Sequence, residues 1–96
     1  MRRVFSAMEK AQQELLVCLN ISISDPRLRR SREEALELFE RTWSKAGRRG
    51  MMSEKDAAPL YMHCLARTLR LAGVEVPEDL LPGGEKIAHF LRSEHS

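Results

Sequence analysis

Cysteine occurs twice in this 96-residue chain, at Cys18 and Cys64, and aromatic residues only five times. Two thiols do not make a disulfide framework. Each is expected on the apolar face of a helix, where a free thiol behaves as a small hydrophobe, and a reducing, cytoplasmic setting follows. Long hydrophobic runs are missing too. The longest, Leu15 to Leu19, is far too short to span a bilayer, so no membrane partner is expected. Glu9, Lys10 and Glu14 interrupt any export signal that Arg2 and Arg3 could open. Without secretion, the sequon Asn20-Ile21-Ser22 carries no meaning.

Glycine and proline are sparse, at five and four residues. The Gly83-Gly84 pair follows a proline, lacks the spacing of a phosphate-cradling loop and precedes only a short acidic turn. His63, His89 and His95 show neither HExxH nor Cys–His ligand spacing, which argues against a zinc site. His63 adjoins Cys64, but helix neighbours point about 100° apart, so a nucleophile–base pair is not expected. Glu33 and Glu37 lie on a polar face with nothing to raise a carboxylate pKa. The sequence therefore reads as non-enzymatic, with no cofactor and no metal.

What is present is apolar periodicity at helical spacing almost throughout. Val4, Met8, Ala11, Leu15 and Cys18 make one stripe with Leu19 beside it, widened by Phe5 and Leu16. Asn20 to Ser24 is rich in turn formers and reads as a connector. A second stripe runs through Ala35, Leu36, Phe39, Trp43 and Ala46 and stops at Gly47, before the Arg48-Arg49-Gly50 turn. Ser53 or Asp56 opens a third helix, with an irregular first turn imposed by Pro59. Its apolar arc covers Ala57, Leu60, Tyr61, Cys64, Leu65, Thr68, Leu71 and Ala72, extended by Met62 and Leu69. An arc that wide marks a central helix contacted from several sides, and Gly73 stops it. Val74 to Gly84 is a connector with one turn near Glu78 to Leu81. The expected fold is all-α, one compact domain of about four helices (approximately 2–19, 26–46, 54–72 and 85–93) and no sheet. Trp43, Phe39, Tyr61 and Leu65 are its expected core anchors.

Net charge is only +2, but it is unevenly spread, positive before Glu33 and negative after Gly73. Arginine outnumbers lysine, which suits bidentate contacts, although a GC-rich coding sequence produces the same skew. Arg27, Arg29, Arg30 and Arg32 are followed at once by Glu33, Glu34, Glu37 and Glu40. Two starts are open for this segment. Asp25-Pro26 is an N-cap followed by proline at the first position, and Ser31 to Glu34 is a capping box. From Pro26, the pairs Arg29–Glu33, Arg30–Glu34 and Glu37–Arg41 lie one turn apart, worth roughly 0.3–0.5 kcal/mol each, and Arg32 falls on the core side, needing a partner such as an acid of the negative tail. From Ser31, the preceding arginines form a free basic arm.

His63, Arg67 and Arg70 follow at i, i+4 and i+7 as the polar strip of the third helix. It lacks the Asn, Gln, Ser or Thr that read base edges, and Glu75, Glu78 or Asp79 could neutralise it. Arg48 and Arg49 beside Met51 and Met52 make a basic turn with adaptable apolar neighbours. The expected function is a small interaction or regulatory module that binds another protein through Arg29, Arg30, Arg32, Arg48, Arg49, Met51, Met52, His63, Arg67 and Arg70, with an apolar patch around Phe5, Leu16, Met51 and Met52. The alternative is a nucleic-acid binder using Arg27, Arg29, Arg30, Arg32, Arg48, Arg49, Arg67 and Arg70 on one face. A homodimer is compatible with either.

Overall fold

The computed structural model describes residues 2–50, 52–81 and 84–93, with side chains described for 6–50, 52–81 and 87–92. Four α-helices account for most of them: α1 (Arg2–Leu19), α2 (Pro26–Arg48), α3 (Ala57–Leu71) and α4 (Gly84–Ser93). Single 3-10 turns at Glu54–Asp56 and Glu78–Leu80 precede α3 and α4. Among the described residues there is no strand. The fold is all-α, and its radius of gyration is 12.6 Å, against about 12.5 Å for a compact globule of this length.

Local chemistry accounts for the helix ends. Asp25 is extended (φ −62°, ψ 124°), and its carboxylate accepts from the Arg27 backbone N–H at 2.9 Å. Pro26 then opens α2, where its missing N–H costs nothing. This settles the start of the charged segment: Ser31 lies inside a continuous helix and is 2% exposed, so there is no basic arm. α1 ends in a Schellman motif on Asn20 (φ 55°), whose N–H reaches the Val17 carbonyl while that of Ile21 reaches Leu16. α3 ends the same way on Gly73 (φ 89°), with Gly73 N–H to Arg70 and Val74 N–H to Leu69. α2 runs past Gly47 to Arg48, and Gly50 (φ 64°) supplies the left-handed turn that Gly47 was expected to begin. The irregular start of α3 is the 3-10 turn before it, where the Asp56 carboxylate accepts from the Ser53 N–H at 3.0 Å.

α3 is the centre of the packing, touched by α1, α2 and α4. Leu60, Cys64, Leu65, Ala66 and Leu69 are fully buried along it. α2 brings Leu28, Ala35, Leu38 and Phe39, α1 brings Met8, Leu15 and Leu16, and α4 brings Ile87 and Leu91. Phe39 stacks on half-buried Trp43 (centroids 5.7 Å, 14° between planes) and meets Tyr61 edge-on at 6.1 Å, both favourable aromatic geometries.

Several faces are turned from their expected position. On α2 the buried seam is Leu28, Ser31, Ala35, Leu38, Phe39, Thr42 and Ala46, while Leu36 is 36% exposed. Thr42 can lie inside because its hydroxyl donates to the Leu38 carbonyl one turn back. On α1, Gln12 is buried and accepts from the Tyr61 hydroxyl at 2.6 Å, whereas Cys18 is exposed. Leu71, the last residue of α3, is 79% exposed. Leu16, expected on an apolar surface patch, is core. Phe5 and Met51 of that patch lie outside the described side chains.

The middle and the C-terminal end of α3 should respond differently to the same truncation. Leu65→Ala is expected to cost about 2–5 kcal/mol, the range for emptying a sealed core site. Leu71→Ala should change stability by no more than about 0.5 kcal/mol, as surface substitutions do. Urea titrations of the two variants read both values.

Candidate functional site

His63, Arg67 and Arg70 form the polar strip of α3, with His63 and Arg67 half-buried and Arg70 exposed. Past Gly73 the chain turns back along α3, and Val76 is buried at 4% exposure. Arg70 fastens this return: its Nε and Nη2 both donate to the Val76 carbonyl, the first at 3.0 Å. The partner of Arg70 is thus main chain, where a tail carboxylate was expected. The return chain brings Glu78 and Leu81 to the strip, and α4, seated by Ile87 and Leu91, brings Ala88 and Arg92. Together they enclose a groove of about 540 Å³ lined by His63, Arg67, Arg70, Glu78, Leu81, Ala88, Leu91 and Arg92.

The lining has two parts. Leu81, Ala88 and Leu91 form an apolar floor, and Leu91 is only 6% exposed. Arg67, Arg70 and Arg92 give three positive charges around it, with Glu78 as the single acid among the lining residues. Among the described residues no carboxylate comes within ion-pair distance of any of the three arginines. Arg67 is half-buried on the helix that carries Leu60 and Cys64, so part of its hydration is already lost.

The other described candidate residues read from the sequence lie elsewhere, and none of them lines this groove. Arg29 and Arg30 are exposed near the start of α2, while Arg48 and Arg49 are exposed at its end, about 28 Å away along the axis at 1.5 Å per residue. Met52 is half-buried against the core, and Met51 lies outside the described residues. Arg32 falls on the core side of α2, as a start at Pro26 requires. Its guanidinium acts on the Tyr61 hydroxyl, and no tail acid among the described residues meets it; its Nε is buried without a hydrogen-bond partner there. Burial pushes the Tyr61 phenol above its ordinary value, against the opposing pull of Arg32. Among the described residues the only ion pair within 4 Å is Arg27–Asp25 at 2.9 Å, so the pairs Arg29–Glu33, Arg30–Glu34 and Glu37–Arg41 are not closed.

Periodicity names His63, Arg67 and Arg70 as one strip, and charge names Glu78 as an acid that could neutralise it, but Arg92 and Leu81, which reach it from other elements, are missed. Leu91 belongs to both the core and the groove lining.

Cys64, next to His63, is fully buried, and loss of hydration pushes its thiol up to about 12 although a Thr42 hydrogen bond and the charges of Arg67 and Arg41 oppose the shift. A thiol so protonated is no nucleophile at neutral pH. Among the described residues no group of three or more His, Cys, Asp or Glu is placed to hold a metal ion, and no helix is long and apolar enough to cross a membrane. No known protein family, curated protein or solved structure matches this chain.

The two thiols should separate cleanly in a labelling experiment. Native protein treated with a thiol reagent is expected to react at Cys18 alone, with Cys64 appearing only in denaturant. Below pH 9.0, the ordinary thiol value, folded and unfolded chains both hold the Cys64 proton. Between 9.0 and about 12 only the unfolded chain releases it, so stability should fall as pH rises through that window. Cys64→Ala should flatten this alkaline slope, measured as denaturation midpoint against pH.

Proposed function

We propose that this protein is a small non-enzymatic interaction module, an adaptor, inhibitor or accessory subunit, which holds an acidic and partly apolar segment of a partner protein in the groove between α3 and α4. The observation that carries the reading is the composition of that groove: three arginines around an apolar floor, with one acid in the wall and no carboxylate partner among the described residues. Arginine side chains pair bidentately with carboxylates, and leucines beside them would take the apolar side chains in between. A volume near 540 Å³ suits a few side chains of an extended or helical segment rather than a whole domain. In this reading the protein works in a reducing, cytoplasmic setting, where Cys18 and Cys64 remain free thiols.

Nucleic-acid binding is the weaker reading. It needs the arginines gathered on one face, whereas Arg29 and Arg30 sit at the opposite end of α2 from Arg48 and Arg49.

Fluorescence anisotropy decides between the two. A labelled peptide alternating glutamate with leucine is expected to bind, and its affinity should fall roughly tenfold or more between low and high salt as the charges are screened. Arg67→Glu and Arg92→Glu should each weaken it at least about tenfold, equivalent to roughly 1.4 kcal/mol, while Arg48→Glu/Arg49→Glu leaves it unchanged. Tight binding of a labelled oligonucleotide, weakened as much at Arg48 and Arg49 as at Arg67, would replace this reading with the other.

A further inference from the structure

The same helix that closes the core, α2, carries a second row of charges on its outer side. Glu33, Glu37 and Glu40 are exposed and recur at i, i+4 and i+7. That spacing is shared by His63, Arg67 and Arg70 on α3, of which the two arginines carry the charge at pH 7, so both rows rise over about 10.5 Å on the same helical screw. Leu36, 36% exposed, flanks the acidic row, as Leu81 and Leu91 flank the basic one. Among the described residues no cation lies within ion-pair distance of Glu33, Glu37 or Glu40, although Arg29 and Arg41 are one turn away.

From this match in charge, spacing and flanking apolar contact, we infer that a second copy of this chain is an occupant of the groove, presenting the outer face of its α2. The inference rests on the groove being a site for acidic segments, as proposed above. One molecule cannot make the contact with itself, because the acidic row faces away from the side of α2 that packs on α3. The contact is therefore heterologous, groove of one copy to α2 of the next. A net charge of only +2 raises little long-range repulsion between copies. Arg70 takes part although it is bonded to the Val76 carbonyl: that neutral acceptor leaves its charge intact, and three of its five N–H groups remain for the incoming carboxylate. The association built this way is weak and salt-sensitive, since exposed ion pairs dominate it. It also places self-association and partner binding in competition for one site, so that free module is stored in a self-occluded form and released as partner accumulates.

Sedimentation velocity over a rising concentration series tests the inference. The wild-type chain is expected to gain weight-average mass at low salt and return to monomer at high salt. Glu33→Gln/Glu37→Gln/Glu40→Gln, changed only at exposed positions, should stay monomeric yet still bind the acidic peptide. Arg67→Glu/Arg92→Glu should stay monomeric and lose the peptide. Mixed, these two variants should form a capped one-to-one dimer, because the first supplies an intact groove and the second an intact acidic row. Far-UV circular dichroism checks that each variant is folded, and Glu37→Gln alone serves as a milder substitute. A wild-type chain monomeric at every concentration, a glutamine variant that still associates, or a mixture that does not pair each overturns the inference. If the glutamine variant binds the peptide while wild type never associates, only the homotypic contact fails; if it binds no peptide, the groove reading fails with it.

Discussion

The structure depends on how much of α3 has to be removed from water. Leu60, Cys64, Leu65, Ala66 and Leu69 point in widely separated directions around that helix and are all fully buried. No single neighbour can cover such an arc. α1 and α2 take adjacent sectors, while α4 and the buried Val76 take a third. The sector that remains carries His63, Arg67 and Arg70. Covering it with an apolar helix would strand guanidinium groups without water or partners, a cost larger than the packing gained. The groove is therefore a consequence of the core: a helix buried on three sides and charged on the fourth leaves its charged sector open between the elements that flank it.

Apolar burial is non-directional, so it does not set how each helix is rotated on α3. A few buried polar contacts supply that information. Tyr61 donates to Gln12 across the α1–α3 contact, and Thr68 donates to the Ser31 carbonyl at 2.9 Å across the α2–α3 contact. Arg70 does the same for the return chain through the Val76 carbonyl. The Tyr61–Gln12 and Thr68–Ser31 contacts favour one rotational setting, because a buried donor or acceptor without its partner is expensive. Arg32 is held against Tyr61 by the same setting, with its Nε enclosed. With α2 fixed so that Ser31 and Thr42 face inward, Glu33, Glu37 and Glu40 must face outward. Core register and surface charge are thus one decision.

How far the structure is legible in the sequence varies with the range of the interaction. Helix ends are local: the Asp25-Pro26 cap, the stop at Gly73 and the disturbed start before Pro59 follow from backbone chemistry within a few residues. The centrality of α3 is also legible, since the width of an apolar arc is a property of one segment. Faces are harder to read. Periodicity puts Leu36 inside and gives no sign of Gln12, because hydropathy ranks side chains one at a time while burial of a glutamine depends on a tyrosine 49 positions away. The expected salt bridges along α2 do not close, since spacing permits contacts that side-chain entropy and solvation do not favour. Of the candidate site, periodicity finds the three residues of one strip. Glu78 is legible only by its charge, as one of three tail acids able to neutralise that strip, while nothing in spacing or charge ties Arg92 and Leu81 to α3.

The amino-acid sequence by itself determined an all-α chain, the existence of its four helices, the dominance of α3 and the presence of two polar rows at equal spacing, one of glutamates and one of His63, Arg67 and Arg70. These are set by interactions within a turn or two. Tertiary structure alone decided that α2 begins its burial before Ser31, that Arg70 spends its hydrogen bonds on main chain, that Cys64 is sealed while Cys18 is exposed, and that Arg92 lines the same groove as Arg67. Each of those depends on which surfaces meet, and that choice is made by the whole set of buried contacts at once.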